Sequence, residues 1–452
     1  MLIEQAPTLG GTMVRAGVGN WEPGVGGTGI PFDLYRRMKR IPDAVGITRF
    51  GRHAGRTPPG APRFPGGELI LDSAHAYRDT LCRHGAPGGR WDYDYGRTHW
   101  HGVVFEPEAM RHVVEAALAE TGRCRVLTRM TFSQVVVREG RLDALLLTDG
   151  ACVRAPVFVD ATGDAALAQA CGCPTACGED AQATYGEPSA PERATPRANG
   201  VTLVYRIALD AETPHSPIPS DVPDACWWRP DFPDAVYTQH PCGDFSVNML
   251  PTMEGAEFLS QPPEAAYEEC RRRVMAHWRD SQRRFSEFRR CRLAWIAPAL
   301  GIRETRRIVG ECVLTEHDVR AGLRGQTHAD IVAIADHPFD THGRDSAGCR
   351  ELAFPYGVPF RCLLPRGIDN LLVASRASSF SALAASSCRL SRTMMQLGQA
   401  AGTAAALALD AGLPLRSLPP ETLRDALRGQ HVSLTWPMPE ALASHLDRED
   451  AP

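Results

Sequence analysis

The chain has 452 residues, 43% hydrophobic and 23% charged, which is the composition of a globular protein with two or three domains. Its 49 basic and 53 acidic residues leave a net charge of −4, which argues against a nucleic-acid partner or an anionic membrane surface. Lys39 is the only lysine and lies in an arginine-rich stretch, which argues against pyridoxal enzymes, P-loop NTPases and protein kinases.

The fourteen cysteines are scattered along the chain, and the sequence shows neither a secretory leader nor an apolar run of about 18 residues. This pattern predicts reduced thiols, a cytoplasmic location and no membrane partner. Cys171, Cys173 and Cys177 form a C-x-C-x3-C pattern that matches no known cluster spacing. We therefore expect small buried side chains there and predict no metal site.

The predicted elements alternate between short buried strands and helices with apolar stripes. In chain order they are a strand at 1–5, a glycine-rich loop at 6–30, a short helix at 30–38, a helix at 105–122, a strand at 124–129, a three-stranded meander at 131–155, a strand at 157–164, a strand at 200–209, one or two helices at 262–290, a strand or turn and a helix start at 301–319, a strand at 370–375, a helix at 391–412 capped by Ser391 or Thr393, and one or two helices in the last 40 residues.

Short strands such as VFVDAT and NLLVAS are typical of a parallel sheet covered on both faces. The pattern predicts an α/β fold with a Rossmann-like domain that contains a β-meander, and an inserted α+β substrate domain. The expected ranges are 1–177 and 355–415 for the first domain, 178–354 for the insertion and 416–452 for a helical tail.

Four features follow strands or begin a helix where ligands bind in such sheets. A strand-end Glu such as Glu4 accepts hydrogen bonds from a ribose diol, and Gly163 after Thr162 allows close backbone approach to a flat cofactor. The other two are Ser375-Arg376 and the start of the 391–412 helix, whose small residues serve either close packing or contact with a ligand.

Together these stretches resemble the FAD-dependent oxidoreductase family of the glutathione-reductase-like flavoprotein class, related to heterodisulfide-reductase-type flavoproteins. The resemblance covers nearly the whole chain and implies FAD as the cofactor. It rests on these segments: IEQAPTLGG (3–11), FEPEAMRHVVEAAL (105–118), VFVDATGDAALA (157–168), GIRETRRIVGECVLTEHD (301–318), PFRCLLPRGIDNLLVASR (359–376) and LGQAAGTAAALA (397–408).

The resemblance also implies which residues contact FAD. In the family a Gly-Arg or Gly-Asp pair follows the last strand, where this chain has Ser375-Arg376. The implied contacts are Glu4 at the adenosine ribose, Gly10 and Gly11 along the path of the FAD, Thr162, Gly163 and Asp164 near the pyrophosphate and ribityl chain, Ser375 and Arg376 at the ribityl position, and Gly398, Gln399 and Ala400 at the flavin ring.

A second departure from the family lies at the first strand. In this class a strand, a G-x-G-x-x-G turn and a helix precede the strand that carries the acidic residue, whereas here residues 1–5 already match that second strand. We expect the FAD-binding sheet to be incomplete, with a central strand missing beside the strands that end at Glu4 and Ser375, and FAD to bind weakly or not at all.

Two other motifs have competing interpretations. Residues 24–29, GVGGTG, match G-x-G-x-x-G literally, but no strand is predicted before them, so we expect a flexible loop near the flavin. His99-Trp100-His101 would place two imidazoles on one face of a strand, either beside a flavin or metal or on a half-buried edge strand.

His337 and His342 lie in a polar loop just before the chain returns to its first domain, where a substrate would meet the flavin. A histidine there is a candidate proton donor or acceptor beside hydride transfer. Arg303 is the third candidate catalytic residue, because an arginine clamps a carboxylate bidentately. Arg303 or the neighbouring Arg306–Arg307 could equally pair with Glu304 or Glu311.

The sequence thus predicts an enzyme in which FAD accepts a hydride or electron pair from a small organic substrate, with an unknown electron acceptor. The alternative is a truncated, non-catalytic flavoprotein-fold remnant that no longer binds FAD tightly. A carbohydrate-active lyase or hydrolase finds no support in paired carboxylates or a nucleophile elbow.

Overall fold

The computed structural model describes residues 1–51, 66–83, 93–209, 218–229, 235–249, 251–343 and 348–451, which form a mixed α/β fold. The strands are β1 Leu2–Glu4, β2 Asn20–Trp21, β3 Val45–Phe50, β4 Gly66–Leu71, β5 His101–Phe105, β6 Val126–Thr128, β7 Phe132–Arg138, β8 Arg141–Leu147, β9 Cys152–Val153, β10 Phe158–Asp160, β11 Thr175–Cys177, β12 Tyr205–Leu209, β13 Ala235–Gln239, β14 Phe245–Met249, β15 Cys291–Ile296, β16 Arg306–Ile308, β17 Ile331–Ala335, β18 Phe339–Thr341, β19 Gly348–Arg350, β20 Tyr356–Pro359 and β21 Leu371–Val373.

The helices confirm the predicted ones at 30–38, 105–122, 262–290 and 391–412. They are α1 Gly11–Val14, α2 Ile30–Lys39, α3 Tyr93–His99, α4 Pro107–Glu120, α5 Ala166–Ala170, α6 Gln182–Tyr185, α7 Gly255–Leu259, α8 Pro263–Arg284, α9 Glu316–Gly325, α10 Ala382–Ser387, α11 Ser391–Ala411, α12 Pro420–Gly429 and α13 Glu440–Asp450. None of these helices has the length and apolar character that crossing a bilayer requires, over the residues that the structure describes.

An eight-stranded sheet in the order β15-β12-β14-β13-β4-β3-β5-β2 is the largest in the described chain. Strands β4 and β13 pair in parallel, whereas the other neighbours are antiparallel. Helix α8 covers it with Ala266, Cys270 and Val274, spaced one helical turn apart and buried together with Tyr205 and Val247. The sheet takes strands from both predicted ranges 1–177 and 178–354, and those domain boundaries stay a prediction.

Two pairs of short parallel strands lie apart from this sheet. Strand β1 pairs with β6, and β10 pairs with β21, while β7, β8 and β9 form the predicted meander. Ile3 of β1 and Leu127 of β6 pack in the same apolar cluster as Phe158 of β10 and Leu371 of β21. The four parallel strands therefore share one core, although the two pairs form separate sheets.

Helix α11 packs one face into the largest apolar cluster through Leu397, Ala400 and Ala404. The helix ends at Gly412, which has φ 63°, in the left-handed conformation expected of a glycine at this position. The predicted cap is wrong, because Leu390 is the capping residue and no side chain bonds to the first turn. The first turn instead buries Arg392 and Thr393, which contact other segments of the chain.

Candidate functional site

The turns after β10 and β21 lie side by side, because the two strands are parallel and Asp160 is in register with Val373. Asp160 is buried and its carboxylate holds the first turn together. Its Oδ1 accepts the backbone N–H of Thr162 at 2.9 Å and the Thr162 hydroxyl at 2.7 Å, while Oδ2 accepts the N–H of Ala168 at 2.9 Å. Thr162 is thus fixed by Asp160, and its own side chain is exposed.

Gly163 brings the backbone of this turn against the guanidinium of Arg376. Gly163 has φ +82°, which L side chains rarely adopt, and a Cβ there would lie 2.7 Å from Arg376 Nη1. Asp164, the next residue, raises the pKa of Arg376 by its negative charge, although burial has the larger, opposite effect. The predicted residues Gly163, Asp164 and Arg376 therefore come together at the strand ends.

The Arg376 guanidinium makes no side-chain hydrogen bond to the residues that the structure describes, and its buried Nε lacks any partner. A half-buried cation without hydrogen-bonded counter-groups is open to an anionic partner. Ser375 supplies no negative charge, and its Oγ accepts the N–H of Ala377 at 3.2 Å. The position fits an anionic ligand such as a phosphate.

The remaining residues near β1 have local roles. Glu4 ends β1 and its Oε1 accepts the N–H of Ala6 at 2.7 Å. Gly10 has φ 96° at the start of α1, and a Cβ there would lie 2.1 Å from Val14 Cγ2, so the turn requires glycine. Gly11 is exposed with open space beyond its Cα.

The three predicted flavin contacts on α11 differ in their surroundings. Gly398 is exposed, with open space where a side chain would be, and Ala400 is fully buried in the core. Gln399 Oε1 accepts the N–H of Ile30 at 3.1 Å, and its Nε2 donates to Gln430 Oε1 at 2.9 Å. Gln399 thus ties α11 to the end of the 24–29 loop.

The GVGGTG loop at 24–29 is a close-packed element, not an isolated flexible loop. It follows the two-residue strand β2, which the sequence analysis did not predict, and residues 24–28 are buried. Asp336 Oδ2 accepts the N–H of Val25 at 3.1 Å, and a Cβ on Gly27 would lie 2.6 Å from Arg392 Nη1. The glycines let the loop fit between the end of β17 and the first turn of α11.

The predicted catalytic residues His337, His342 and Arg303 lie around Asp340, beside this loop. His342 Nε2 lies 2.7 Å from Asp340 Oδ2, His337 Nε2 lies 3.4 Å from the same oxygen, and Arg389 Nη2 donates to it at 2.8 Å. We call these five residues the Asp340 cluster. Arg303 donates to the carbonyl of Gly200 at 2.7 Å and to Thr202 Oγ1 at 2.8 Å.

Arg303 does not pair with the neighbouring carboxylates that the sequence offered. Arg307 takes that role, with Nη1 2.5 Å from Glu304 Oε1 and Nη2 3.2 Å from Asp180 Oδ2, and it is fully buried. Glu311 pairs with Arg416 instead. The acceptors of Arg303 are one carbonyl and one hydroxyl. Its positive charge is therefore not neutralised by a carboxylate of its own and acts on the cluster.

Charge and burial set the protonation states of the Asp340 cluster. Burial lowers the pKa of His342 to about 4, with Arg303 adding to the effect and Asp340 opposing it. Burial alone would raise the pKa of Asp340, but His342, His337 and Arg389 together hold it well below its usual value. Burial and Arg389 lower the pKa of Arg303 to about 9. At neutral pH the cluster therefore holds a carboxylate, two guanidinium cations and a neutral His342.

Glu22 is a member of this neighbourhood that the sequence did not indicate. Its Oε2 lies 3.6 Å from His337 Nδ1, and its side chain is 41% exposed. His337 is buried, and its Nδ1 has no hydrogen-bond partner among the described atoms. The only sequence signal for Glu22 is its position directly before the glycine loop.

Two other motifs are resolved by the structure. Burial raises the pKa of Cys171 to about 12 and that of Cys173 to about 11, so both thiols are protonated at neutral pH. The prediction of one strand through His99-Trp100-His101 is wrong. His99 is the exposed last residue of α3, whereas His101 is buried and begins β5, which lies between β3 and β2 instead of at an edge.

Three solved structures share low similarity with the chain. A tryptophan 6-halogenase from Streptomyces toxytricini is 12% identical, with TM-score 0.38, over 99% of this chain and 78% of that one. PqsL, a probable FAD-dependent monooxygenase from Pseudomonas aeruginosa, is 15% identical, with TM-score 0.33, over 95% and 83%.

The third is L-amino acid deaminase from Proteus vulgaris, which is 11% identical, with TM-score 0.29, over 72% of this chain. The alignment spans only 56% of that deaminase. No curated protein sequence matches the chain.

A family model describes the chain far more completely. The model of FAD dependent oxidoreductases matches residues 1–427, which include all the strands described above and the helices from α1 to α11, with most of α12. The cofactor of this family is FAD, as the resemblance implied. The chain belongs to the FAD-dependent oxidoreductase family.

Proposed function

We propose that the chain is an oxidoreductase that transfers a hydride or electron pair from a small organic substrate to FAD. The observation that carries the proposal is the Asp340 cluster, in which two histidines and two arginines from distant parts of the chain surround one carboxylate. The cluster lies next to the glycine loop and the start of α11. Strands β10 and β21 end at a separate group, in which Nε of Arg376 has no hydrogen-bond partner among the described residues.

The turns after β10 and β21 are assigned to the FAD pyrophosphate and ribityl chain. Arg376 fits this role because it is half-buried and its buried Nε lacks a hydrogen-bonded partner among the described residues, and Gly163 leaves room for close approach. Glu4 is assigned to the adenosine ribose and Gly398 to the flavin ring, where it leaves the helix surface open. When bound, FAD supplies the group that accepts the two electrons.

The Asp340 cluster is assigned to the substrate. Removal of a hydride from an alcohol or amine carbon also releases a proton, and His337 Nδ1 is unpaired beside Glu22 and is the group we assign to accept it. His342 stays neutral because its pKa is about 4, so its role is to orient Asp340. Arg303 and Arg389 supply positive charge, which favours a substrate that carries a carboxylate.

The test is anaerobic reduction of the FAD-loaded protein by a panel of 2-hydroxy acids, amino acids and uncharged alcohols and amines. We expect flavin bleaching with one or more carboxylate substrates and at least about 100-fold slower bleaching in His337→Ala, with FAD affinity unchanged. His99→Ala is the matched control, because His99 is exposed at the end of α3. Reduction by no member of the panel, or equal rates in the two variants, contradicts the proposal.

A second candidate is a chain of the same fold that does not hold FAD tightly. The observation that favours it is the gap between the pairs β1–β6 and β10–β21, which are not hydrogen-bonded to each other in the described structure. Val159 of β10 is 42% exposed, whereas Leu371 and Val373 of β21 are fully buried. The exposed apolar side chain of this pair is thus on β10, while the expectation was a gap beside the strand that ends at Ser375.

This gap supports the proposal that a central strand and its G-x-G-x-x-G turn are missing from the FAD-binding sheet. The discriminating measurement is an FAD titration of residues 1–452, followed by flavin absorbance of the gel-filtered protein. A yellow protein with one FAD per chain contradicts the second candidate. Loss of all flavin on the column, with normal folding, favours it over the enzyme.

A further inference from the structure

Three potential metal ligands meet where β4 ends and β5 begins. Asp72 directly follows β4, His75 lies in the turn before the three-ten helix Tyr77–Leu81, and His101 is the first residue of β5. One ligand atom from each of the three side chains lies within 4.8 Å of the other two. None of these residues belongs to the Asp340 cluster or to the turns that contain Gly163 and Arg376.

The spacing is close to what a tetrahedral metal requires. Asp72 Oδ2 lies 3.9 Å from His75 Nε2, and the rings of His75 and His101 stack with their centroids 3.6 Å apart. Zinc bonds of 2.0–2.2 Å place neighbouring ligand atoms about 3.4 Å apart. Stacked rings direct their nitrogen lone pairs side by side, so the two imidazoles must rotate before both nitrogens point at one ion.

His101 provides a second, independent observation. Its relative exposure is only 3%, and its Nδ1 has no hydrogen-bond partner among the atoms that the structure describes. A buried nitrogen without a partner is costly, so such atoms occur mainly where an ion or water completes them. An ion bonded to Nδ1 would give this atom a partner.

His75 is oriented as a metal-binding histidine would be. Its Nδ1 lies 3.2 Å from Asp79 Oδ2, and that oxygen also accepts the N–H of Ala76 at 2.9 Å. When Nδ1 donates to a carboxylate, the lone pair is on Nε2, which is the atom that faces Asp72. Asp79 thus fixes the ring and its tautomer without binding the ion itself.

The local charges also suit a cation. Two carboxylates, Asp72 and Asp79, lie within 4 Å of the His75 ring nitrogens. Arg49 is the competing group, with Nε 3.4 Å from Asp72 Oδ2, and its side chain is 40% exposed. Metal binding would displace Arg49 to solvent at little cost, because exposed ion pairs contribute little to stability.

We propose that Asp72, His75 and His101 form a binding site for one divalent transition metal ion of the zinc class, with a fourth position open to water. Two imidazoles and one carboxylate favour such ions over Mg²⁺ or Ca²⁺, which prefer oxygen ligands. Because the ligands lie directly after β4, in the following turn and at the start of β5, the ion would link the ends of two strands that flank β3 in the large sheet. The site is independent of FAD and of the proposed substrate.

The experiment is a titration of the metal-free, tag-free full chain with Co²⁺ and Zn²⁺, followed by visible absorbance and calorimetry. We expect one Co²⁺ per chain with the strong visible band of a tetrahedral ion, competed by Zn²⁺. Zn²⁺ should raise the melting temperature, and Mg²⁺ should not. Asp72→Asn and His75→Asn, both at partly exposed positions, should weaken Zn²⁺ binding at least about tenfold while leaving the metal-free protein folded.

His99→Asn is the matched control, because His99 is exposed and its Nδ1 lies 3.1 Å from the carbonyl oxygen of Tyr95. This variant should bind Co²⁺ as the parent does. Absence of stoichiometric binding, or equal loss in His99→Asn and His75→Asn, overturns the proposal. Cobalt binding with an octahedral spectrum that survives Asp72→Asn also overturns it.

Discussion

The Asp340 cluster and the Arg376 turn differ in how many hydrogen-bonded partners compensate their central charge. Asp340 Oδ2 is shared by His337, His342 and Arg389, so its charge is fully compensated inside the protein. Arg376 has Asp164 nearby but no side-chain hydrogen bond to the described residues. The first group is therefore compensated by the protein alone, whereas the second leaves its buried Nε without a partner among the described residues.

The largest effect is expected from Asp340→Asn, which would break the compensated group. Removing the carboxylate leaves Arg389 and Arg303 as buried like charges, and breaking a buried pair in this way costs about 3–5 kcal/mol. We expect the free energy of unfolding, measured in urea, to fall by this amount. Asp369→Asn is the control, because Asp369 forms a more exposed pair with Arg416 and should change the stability by about 1 kcal/mol or less. Equal losses would show that Asp340 is not specially compensated.

A pH titration sharpens the same comparison. The pKa of His342 is about 4 in the folded protein and about 6.5 in the unfolded chain, so the unfolded state binds more protons between these values. Stability should therefore be fully present above about pH 6.5 and fall as the pH drops toward 4, by about 3 kcal/mol for this group. His342→Gln should flatten the urea-derived stability curve in that window. A curve of unchanged slope in the variant contradicts the assigned protonation state.

The smallest effect on folding is expected at Arg376, where the change appears in ligand affinity. Arg376→Met removes a cation without a hydrogen-bonded partner, so the metal-free, FAD-free protein should be as stable as the parent or more stable. Loss of a charge-assisted hydrogen bond of about 1.5–3 kcal/mol should weaken FAD binding about 10- to 100-fold in a fluorescence titration. Arg366→Met, at an exposed position, should leave FAD affinity unchanged. Lower stability without a change in FAD affinity would assign Arg376 a purely structural role.

The elements that the sequence predicted are those with a local signal. Helix α4 has Met110 and Val113 on one buried face and Gly122 with φ 61° after its end, all of which follow from spacing and glycine chemistry. Strands β10 and β21 were predicted from short runs of buried apolar residues. The large sheet was not predicted, because the pairing of β4 with β13 joins segments that share no local pattern.

The sequence predicted some residues of the candidate site but not which side chains they contact. His337, His342 and Arg303 were predicted, but Arg389 and Glu22 were missed, because only the fold brings these two segments to Asp340. The predicted strand through His99 and His101 was wrong for a different reason. A helix ends and a strand begins within three residues there, and the alternation of two histidines around Trp100 imitates a continuous strand.

The parallel pairing of β4 with β13 has a consequence for how the chain acquires its shape. Ala235 is in register with Gly66, and β15, which ends at Ile296, forms the far edge of the same sheet. During synthesis, well over a hundred residues are therefore added after the antiparallel pair of β3 and β4 before β13 can pair with β4. Such distant pairings are slow to form and leave a strand edge open to other chains. Expression at lower temperature, or with a chaperone that shields nascent edges, is therefore expected to increase the yield of correctly assembled protein.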